Sequence, residues 1–351
     1  HYRSPQQRDE LIAAFQNLKA AGDLDYVAAW YIKAVQYLKG DDRNADLLAG
    51  LGGAAPKDRV KIAFVSTNSI TQGEQVPVLW PELFRHGVHI HFAHRTFQWS
   101  NEASGVAAVH CVIIGFASWK STQCALFEYT HPRGEAHMQI VTSISPYLTA
   151  GPEMVISKRQ QPLNPQLPIM RCGNKPSDGG YLLLTPEERI ELSRENPAAG
   201  KFIRRYVGSE EFINNIERYC LWLTDASPNE LRAMPAVMRR VEAVRKFRAA
   251  SSAEPTRKSA QTPTRFFFVS QPDQPYILIP EVSSERRPYI PIGLMPPDVI
   301  TSNTNYITTS GDMYIYGILQ SSMHMAWMRG VAGRLKSDYR YSGTMVYNTF
   351  P

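Results

Sequence analysis

The sequence predicts an α/β fold: the closing part of a Rossmann-like domain, followed by a separate α+β domain. Two observations carry the first half. Apolar runs at Ile62–Val65, Val88–Phe92 and Ala107–Phe116 have the length and composition of buried strands. A helix-length segment separates the first two, and a polar loop carrying Phe97 and Trp99 separates the second from the third. Strand, helix, strand, loop, strand is the grammar of a sheet with helical crossovers, whose ligands bind beyond the carboxyl ends of the strands. Ser66–Ser69 and His94–Trp99 are expected there. A third observation sets the division. The stretch 145–165 (SPYLTAGPEMVISKRQQPLNP) is Pro-rich and typical of a domain entry. The domains are therefore placed at 1–148 and 149–351.

The elements follow in order. Ser4-Pro5 is a good N-cap and first-turn pair, so a helix is expected over Pro5–Lys19. In Leu24–Leu38, the residues Val27, Trp30, Tyr31, Ala34, Val35 and Leu38 recur at helical spacing. Residues 40–58 are polar and rich in Gly and Ala. Their Gly50-Leu51-Gly52-Gly53 run follows no strand and opens no helix, so it is not read as a phosphate loop. Further strands are expected between Leu126 and Leu148, most clearly at Met138–Ser143. The second domain should hold a short helix at Pro186–Arg194 and a long basic helix from Ser227-Pro228 to about Ala250. Short strands at Phe266–Val269, Tyr276–Pro280, Tyr289–Ile292 and Tyr306–Thr309 follow, then an apolar helix at Ile315–Met328 and a basic, Tyr-rich tail.

The 351 residues are 43% hydrophobic and 20% charged, a globular composition with room for two cores. The net charge of +6 leans toward a polyanionic partner. Between Arg232 and Arg287 stand eleven Lys and Arg against five Asp and Glu, a local excess as large as that of the whole chain. Interleaved with Ser, Thr and Gln, such a segment points to phosphate contact, and the tail Arg329, Arg334, Lys336, Arg340 with Tyr339 and Tyr341 is similar. Four scattered cysteines, with no CxxC, fit a reducing, cytoplasmic setting. No apolar run reaches membrane-spanning length, and no signal peptide is visible.

Several chemical candidates can be weighed. His89 and His91 would share one strand face with His94 nearby, but no Asp, Glu or Cys cluster completes a metal site, so none is expected. His110 and Cys111 are adjacent strand residues on opposite faces and cannot form a thiolate–imidazole pair. Phe97 and Trp99 are large aromatics that strand periodicity does not explain. They either cap the core or present a π-face to a flat ligand such as a nucleobase.

With these residues in view, the chain resembles the MmeI-like DNA adenine methyltransferases. The matching segments are LDYVAAWYIKA (24–34), FVSTNSITQGEQV (64–76), FAHRTFQWSNEA (92–103), VHCVIIGF (109–116), EVSSERRPYIPIG (281–293) and MHMAWMRGVAGRLKSDYRYS (323–342). They span nearly the whole chain. The resemblance implies the closing part of a class I S-adenosylmethionine-dependent methyltransferase domain, followed by a DNA target-recognition domain of a restriction-modification protein. Double-stranded DNA would be the partner and S-adenosylmethionine the cofactor. It further implies that Asp25 and Trp30 lie near the adenine end of the cofactor, and that Phe97 stacks on an extruded target adenine. Arg286, Arg287, Arg334, Lys336 and Arg340 are expected to contact DNA.

The departures matter equally. A Gly-rich cofactor loop is absent, and so is the Asn/Asp-Pro-Pro-aromatic motif that holds the adenine amino group. Pro296-Pro297 is followed by Asp298 and does not qualify. The chain is thus expected to be a fragment beginning just after that motif, and inactive in isolation. Two rivals stand beside this view: a stand-alone DNA-binding specificity module, and an RNA or small-molecule methyltransferase.

Overall fold

A computed structural model describes residues 3–16, 18–39, 60–99, 109–335 and 337–351. The 40–58 loop, with its glycine run, and Lys336 lie outside the described residues, as do residues 100–108, which take in most of the expected loop and the start of the third apolar run. The chain divides into two compact units: 1–158 with 329–337, and 159–328 with 338–351. Among the described residues no helix is long and apolar enough to cross a membrane.

The first unit contains α1 (Pro5–Ala14), α2 (Ala28–Lys39), β1 (Ile62–Thr67), α3 (Val76–Arg85), β2 (His89–Trp99), β3 (Val109–Ala117), β4 (Cys124–Tyr129) and β5 (Ala136–Val141). Ser4 caps α1 through a reciprocal capping box with Gln7, as its Ser-Pro start suggested. The helix stops at Ala14, short of the expected Lys19, because Gln16 adopts a left-handed φ of 52°. The strands form one sheet in the order β1-β3-β2-β4-β5. Strand β3 runs antiparallel to both β1 and β2, and β4 runs parallel to β2. Alternation sorts the side chains. Ile62, Phe64 and Ser66 lie opposite Phe116, Ile114 and Val112 on the core face, where Tyr31, Val35, Leu79 and Trp80 of α2 and α3 are buried. Trp80 satisfies its indole N–H on the Ile70 carbonyl at 2.8 Å.

One expectation fails here. Phe97 and Trp99 lie in strand β2, not in a loop beyond it. The strand persists because Phe97, Gln98 and Trp99 pair with Cys111, His110 and Val109. The polar residues Arg95 and Thr96, which broke the apolar pattern, sit in a β-bulge between His94 and Phe97.

The second unit carries β6 (Met170–Cys172), β7 (Leu183–Leu184), α4 (Pro186–Glu195), β8 (Ile203–Val207), α5 (Ser209–Asn214), β9 (Tyr219–Leu221), α6 (Pro228–Arg232), α7 (Pro235–Ala249) and α8 (Glu254–Lys258). Beyond these come β10 (Tyr276–Pro280), β11 (Val282–Ser283), β12 (Gly293–Met295), β13 (Ile300–Thr301), β14 (Asn305–Thr308), α9 (Met313–Leu319), α10 (Ser322–Val331), then β15 (Gly333–Leu335), within the 329–337 stretch that belongs to the first unit, and β16 (Asp338–Arg340). Two short sheets, β12-β10-β14-β6 and β13-β8-β9-β7, frame it. The long basic helix is in fact two, α6 and α7. Pro235 forbids a helical N–H bond and holds Met234 at φ −121°, ψ 76°, so the chain must restart. The apolar helix is likewise split between α9 and α10, where the Ser321 hydroxyl accepts from the His324 N–H at 3.1 Å. Tyr289–Ile292 and Phe266–Val269 form no strand, Phe268 making only an isolated bridge to Lys175.

The basic segment is largely committed inside the fold. Arg239, Arg240, Arg245 and Lys258 face Glu195, Glu188, Glu242 and Glu254. Arg248 is 0% exposed, and its guanidinium donates to the carbonyls of Ser177, Ser259, Thr262, Pro176 and Arg265 at 2.7–3.1 Å. All five donors of the group are thereby used. In the tail, Tyr339 and Tyr341 are buried, so they are core residues and not a nucleic-acid surface.

Two stability outcomes follow. Arg248→Met leaves five partly buried carbonyls without their donor and should cost on the order of 3–5 kcal/mol in urea unfolding. His324 is buried, bonds Tyr341 Oη through Nε2 at 3.0 Å, and has its pKa pushed down to about 4 by desolvation. The unfolded imidazole titrates near 6.5, so between these values the unfolded chain binds more protons. Stability from this group is full above pH 6.5 and falls as pH drops toward 4, by on the order of 3 kcal/mol. His324→Gln should flatten that portion of the stability–pH curve relative to the native chain.

Candidate functional site

The site grows from the carboxyl end of β1. Ser66 points into the core and shares a 2.8 Å hydrogen bond with the buried Tyr31 hydroxyl. The chain then turns, and Asp25, just before α2, gathers it. Its Oδ2 accepts from the Thr67 hydroxyl at 3.0 Å and the Ser69 hydroxyl at 2.8 Å. The Asp25 N–H donates to Gln75 Oε1 at 2.8 Å, while Gln75 Nε2 donates to the Asp23 carbonyl at 3.0 Å. Asp25, Thr67 and Ser69, more than forty residues apart in sequence, therefore form one cluster. Trp30, by contrast, is 57% exposed on α2, with Lys33 Nζ 5.8 Å from its ring centre.

A second cluster occupies the sheet face opposite the core. Regular alternation from the buried Ala93 would return Phe97 to the core face. The one-residue bulge after His94 reverses this, setting Phe97 opposite Cys111 as His94 is set opposite Ile113. His94 stacks on Phe127 with centroids 4.1 Å apart and planes 1° from parallel. Its Nδ1 is 2.7 Å from the Tyr129 hydroxyl, and Tyr129 stacks on Phe97 at 5.5 Å. Trp99, half exposed, lies 6.2 Å from Phe97. Burial lowers the His94 pKa, favouring the neutral ring. The two clusters share a row of the sheet: Thr67 and Phe97 are the partners of Cys111 on its two sides. Asn68 Nδ2 also reaches Thr96 Oγ1, within the bulge, at 3.5 Å.

The other two histidines singled out in β2 have structural partners. His89 Nδ1 faces Glu153 at 2.6 Å and His91 Nε2 the Trp119 carbonyl at 2.7 Å. Among the described residues no group of His, Cys, Asp and Glu could hold a metal. Cys111 is buried and its thiol pKa is raised by desolvation, as for an inert core thiol.

Of the basic residues singled out by sequence, three gather at one ribbon of the second unit. Val282–Ser283 pair with Arg340–Tyr339, and the Arg286-Arg287 turn follows, tied by the Glu285 N–H to Asp338 Oδ1 at 3.3 Å. Arg286 is exposed. Arg340 is exposed too, though its Nε donates to Glu281 at 2.9 Å. Arg334 belongs to the first unit and donates to the Arg329 carbonyl at 3.3 Å. Sequence reasoning missed Gln75, Tyr129 and Phe127. The alternation Phe127-Glu128-Tyr129 was the available signal for the last two.

Comparison with known proteins defines the class first. Residues 1–128 match the model of the MmeI DNA-methyltransferase domain, and residues 150–351 that of the MmeI target recognition domain. The chain is therefore part of a DNA methyltransferase domain joined to a target recognition domain, and it belongs to the MmeI family. It is 50% identical to the type IIL restriction-modification enzyme MmeI, solved in complex with DNA, with a TM-score of 0.84 over 99% of this chain and 44% of that one. It is also 38% identical to DNA methyltransferase A of Bacillus subtilis (strain 168), over 99% of this chain and 37% of that protein. The chain thus spans well under half the length of these relatives.

Removing the Asp25 carboxylate should release the turn after β1. Asp25→Ala is expected to cost about 1–3 kcal/mol in thermal or urea unfolding, and Asp25→Asn less, since an amide oxygen still accepts. Hydrogen exchange should quicken at Thr67–Thr71 before it does in α3.

Proposed function

We propose that the protein carrying this chain is an adenine-N6 DNA methyltransferase of a restriction-modification system, acting in the bacterial cytoplasm. Residues 1–148 would supply the base-facing wall of the catalytic domain, and 149–351 the recognition of duplex DNA. The observation that carries this is the succession of a methyltransferase match and a target-recognition match on one continuous chain. The Rossmann-like assignment of the first half is supported by parallel β1 and β2, joined through α3, with β3 reversed between them.

The adenine amino group is sequestered in the duplex, so the base must leave the stack at a cost of about a few kcal/mol. A half-buried ring such as Phe97, backed by Tyr129, offers a π-face that recovers part of that loss. S-adenosylmethionine would supply the methyl group from its sulfonium centre. Fit of this chain to that cofactor is partial. Trp30 exposes an indole face suited to a flat purine, and Asp25 lies near the start of the same helix with Oδ2 committed to Thr67 and Ser69. Trp30 is therefore the direct contact, and Asp25 shapes the border. No Gly-rich loop and no Asn/Asp-Pro-Pro-aromatic motif occurs in the 351 residues, so this chain alone should not turn over. Arg286, Arg287 and Arg340 on the ribbon, together with Arg334 and Lys336, would contact phosphates.

Duplex binding by this chain should weaken steeply with salt and need no S-adenosylmethionine. Arg286→Ala and Arg287→Ala should each lower the slope of log Kd against log salt by about 1. The second reading, a stand-alone specificity module, is favoured by the same partial cofactor fit. If adding the flanking segments of a relative restores no methyl transfer, that reading wins. Methyl incorporation by this chain alone would overturn the expectation of inactivity, and absence of duplex affinity at low salt would overturn the DNA assignment.

A further inference from the structure

Phe97 does not stand alone on its face of the sheet. Its ring is backed by Tyr129 at 5.5 Å, with planes 29° apart. Tyr129 in turn is fixed at its hydroxyl by His94 Nδ1 at 2.7 Å, and His94 is clamped flat against Phe127 at 4.1 Å. All four rings are partly buried and none lies on the core face, whose occupants are Ala93, Leu126 and Cys124. A β-bulge was needed to bring Phe97 to this side. A packing role alone accounts poorly for the arrangement. The rings cover one another, but a 2.7 Å hydrogen bond between two ring systems restricts rotation more than it adds buried area.

We propose that Tyr129, locked by His94, is a positioning residue that fixes the plane of Phe97 for the extruded base. The proposal rests on Phe97 as the base-stacking residue. An aromatic ring with a free second χ angle presents a smeared π-face. A ring held between a neighbour's face and the incoming base presents one plane, and less ordering is left to be done when the base arrives. His94 acts at one remove: a neutral imidazole can hold the tyrosine hydroxyl, stacked where Phe127 prevents it from turning.

The experiment uses the full-length protein carrying these residues. Its target duplex is found by mapping N6-methyladenine in DNA from cells that express it, and 2-aminopurine then replaces the target adenine. Phe97→Leu should lower kcat and abolish the short-lifetime, stacked component of 2-aminopurine fluorescence in the complex. Tyr129→Leu should lower kcat by about fivefold to tenfold with KM for DNA unchanged, and shift the same fluorescence toward the unstacked component. Tyr129→Phe keeps the ring, removes the hydrogen bond, and should give about a threefold loss. His94→Gln combined with Tyr129→Phe should be no worse than either alone, because both remove one bond. A purely structural role would lower the melting temperature and leave the fluorescence lifetimes of the residual complex as in the native protein. That result, or native kcat in Tyr129→Leu while Phe97→Leu is impaired, overturns the proposal and leaves base stacking by Phe97 standing. Native kcat and lifetimes in Phe97→Leu overturn the base-stacking assignment itself.

Discussion

The β-bulge between His94 and Phe97 is the constraint on which the candidate site depends. A strand has two faces and a strict period, so its aromatic residues are assigned to sides by parity alone. One extra residue reverses that parity from Phe97 onward, and it does so without ending the strand, since pairing with β3 resumes at Phe97–Cys111. The aromatic face, the stacking of Tyr129 on Phe97 and the placement of Trp99 beside them all follow from that shift. Strand β2 carries another shift between Ile90 and Phe92, where the Phe92 ring crosses Gly115. A Cβ on Gly115 would come 2.0 Å from that ring, so the residue opposite Phe92 has to be glycine for the sheet to close.

Charge in this chain divides between building and binding. The segment from Arg232 to Arg287 reads as one basic surface in sequence, yet its acid partners Glu188 and Glu195 sit on α4, forty or more residues upstream. Arg248 goes further and serves as an internal tie for two separate stretches of backbone, 176–177 and 259–265. A guanidinium suits this because its donors form a rigid fork and it stays charged even where burial lowers its pKa. The basic groups left toward solvent on the β11–β16 ribbon are few by comparison. A short ribbon is a sensible carrier for them, since its backbone ladder fixes their spacing while the side chains remain exposed.

How much of this was legible in the sequence varies with range. Local signals read well. The Ser4-Pro5 cap, the helical stripe through Tyr31 and Val35, and the apolar runs at 62–65, 88–92 and 107–116, the last described from Val109 on, all reflect interactions within a few residues. The Rossmann-like order itself was an inference from that grammar, and what the structure adds is the reversed β3 between parallel neighbours. The bulge was illegible, because it leaves apolar content unchanged and the polar pair Arg95-Thr96 looks like a strand end. Long-range pairing was equally hidden: nothing in the spelling joins Asp25 to Thr67 and Ser69, or His94 to Tyr129. The Met234-Pro235 break, in contrast, was there to be read.

The two clusters are best understood as one support. Asp25 holds Thr67 and Ser69; Asn68, between them, reaches Thr96; and Thr96 belongs to the bulge that sets Phe97. Thr67 and Phe97 flank the same β3 residue, so across two strand spacings they are about 10 Å apart. Methyl transfer to a neutral amino group has no covalent intermediate to lean on, so its rate rests on placing donor and acceptor correctly. Under the proposed function, the Asp25 carboxylate, which ties the start of α2 to the turn beside the bulge, would serve that need. Strand ends supply the rigidity, and the sheet carries it to the neighbouring strand. On that proposal, the base side and the cofactor border would be set by one run of contacts instead of two independent ones.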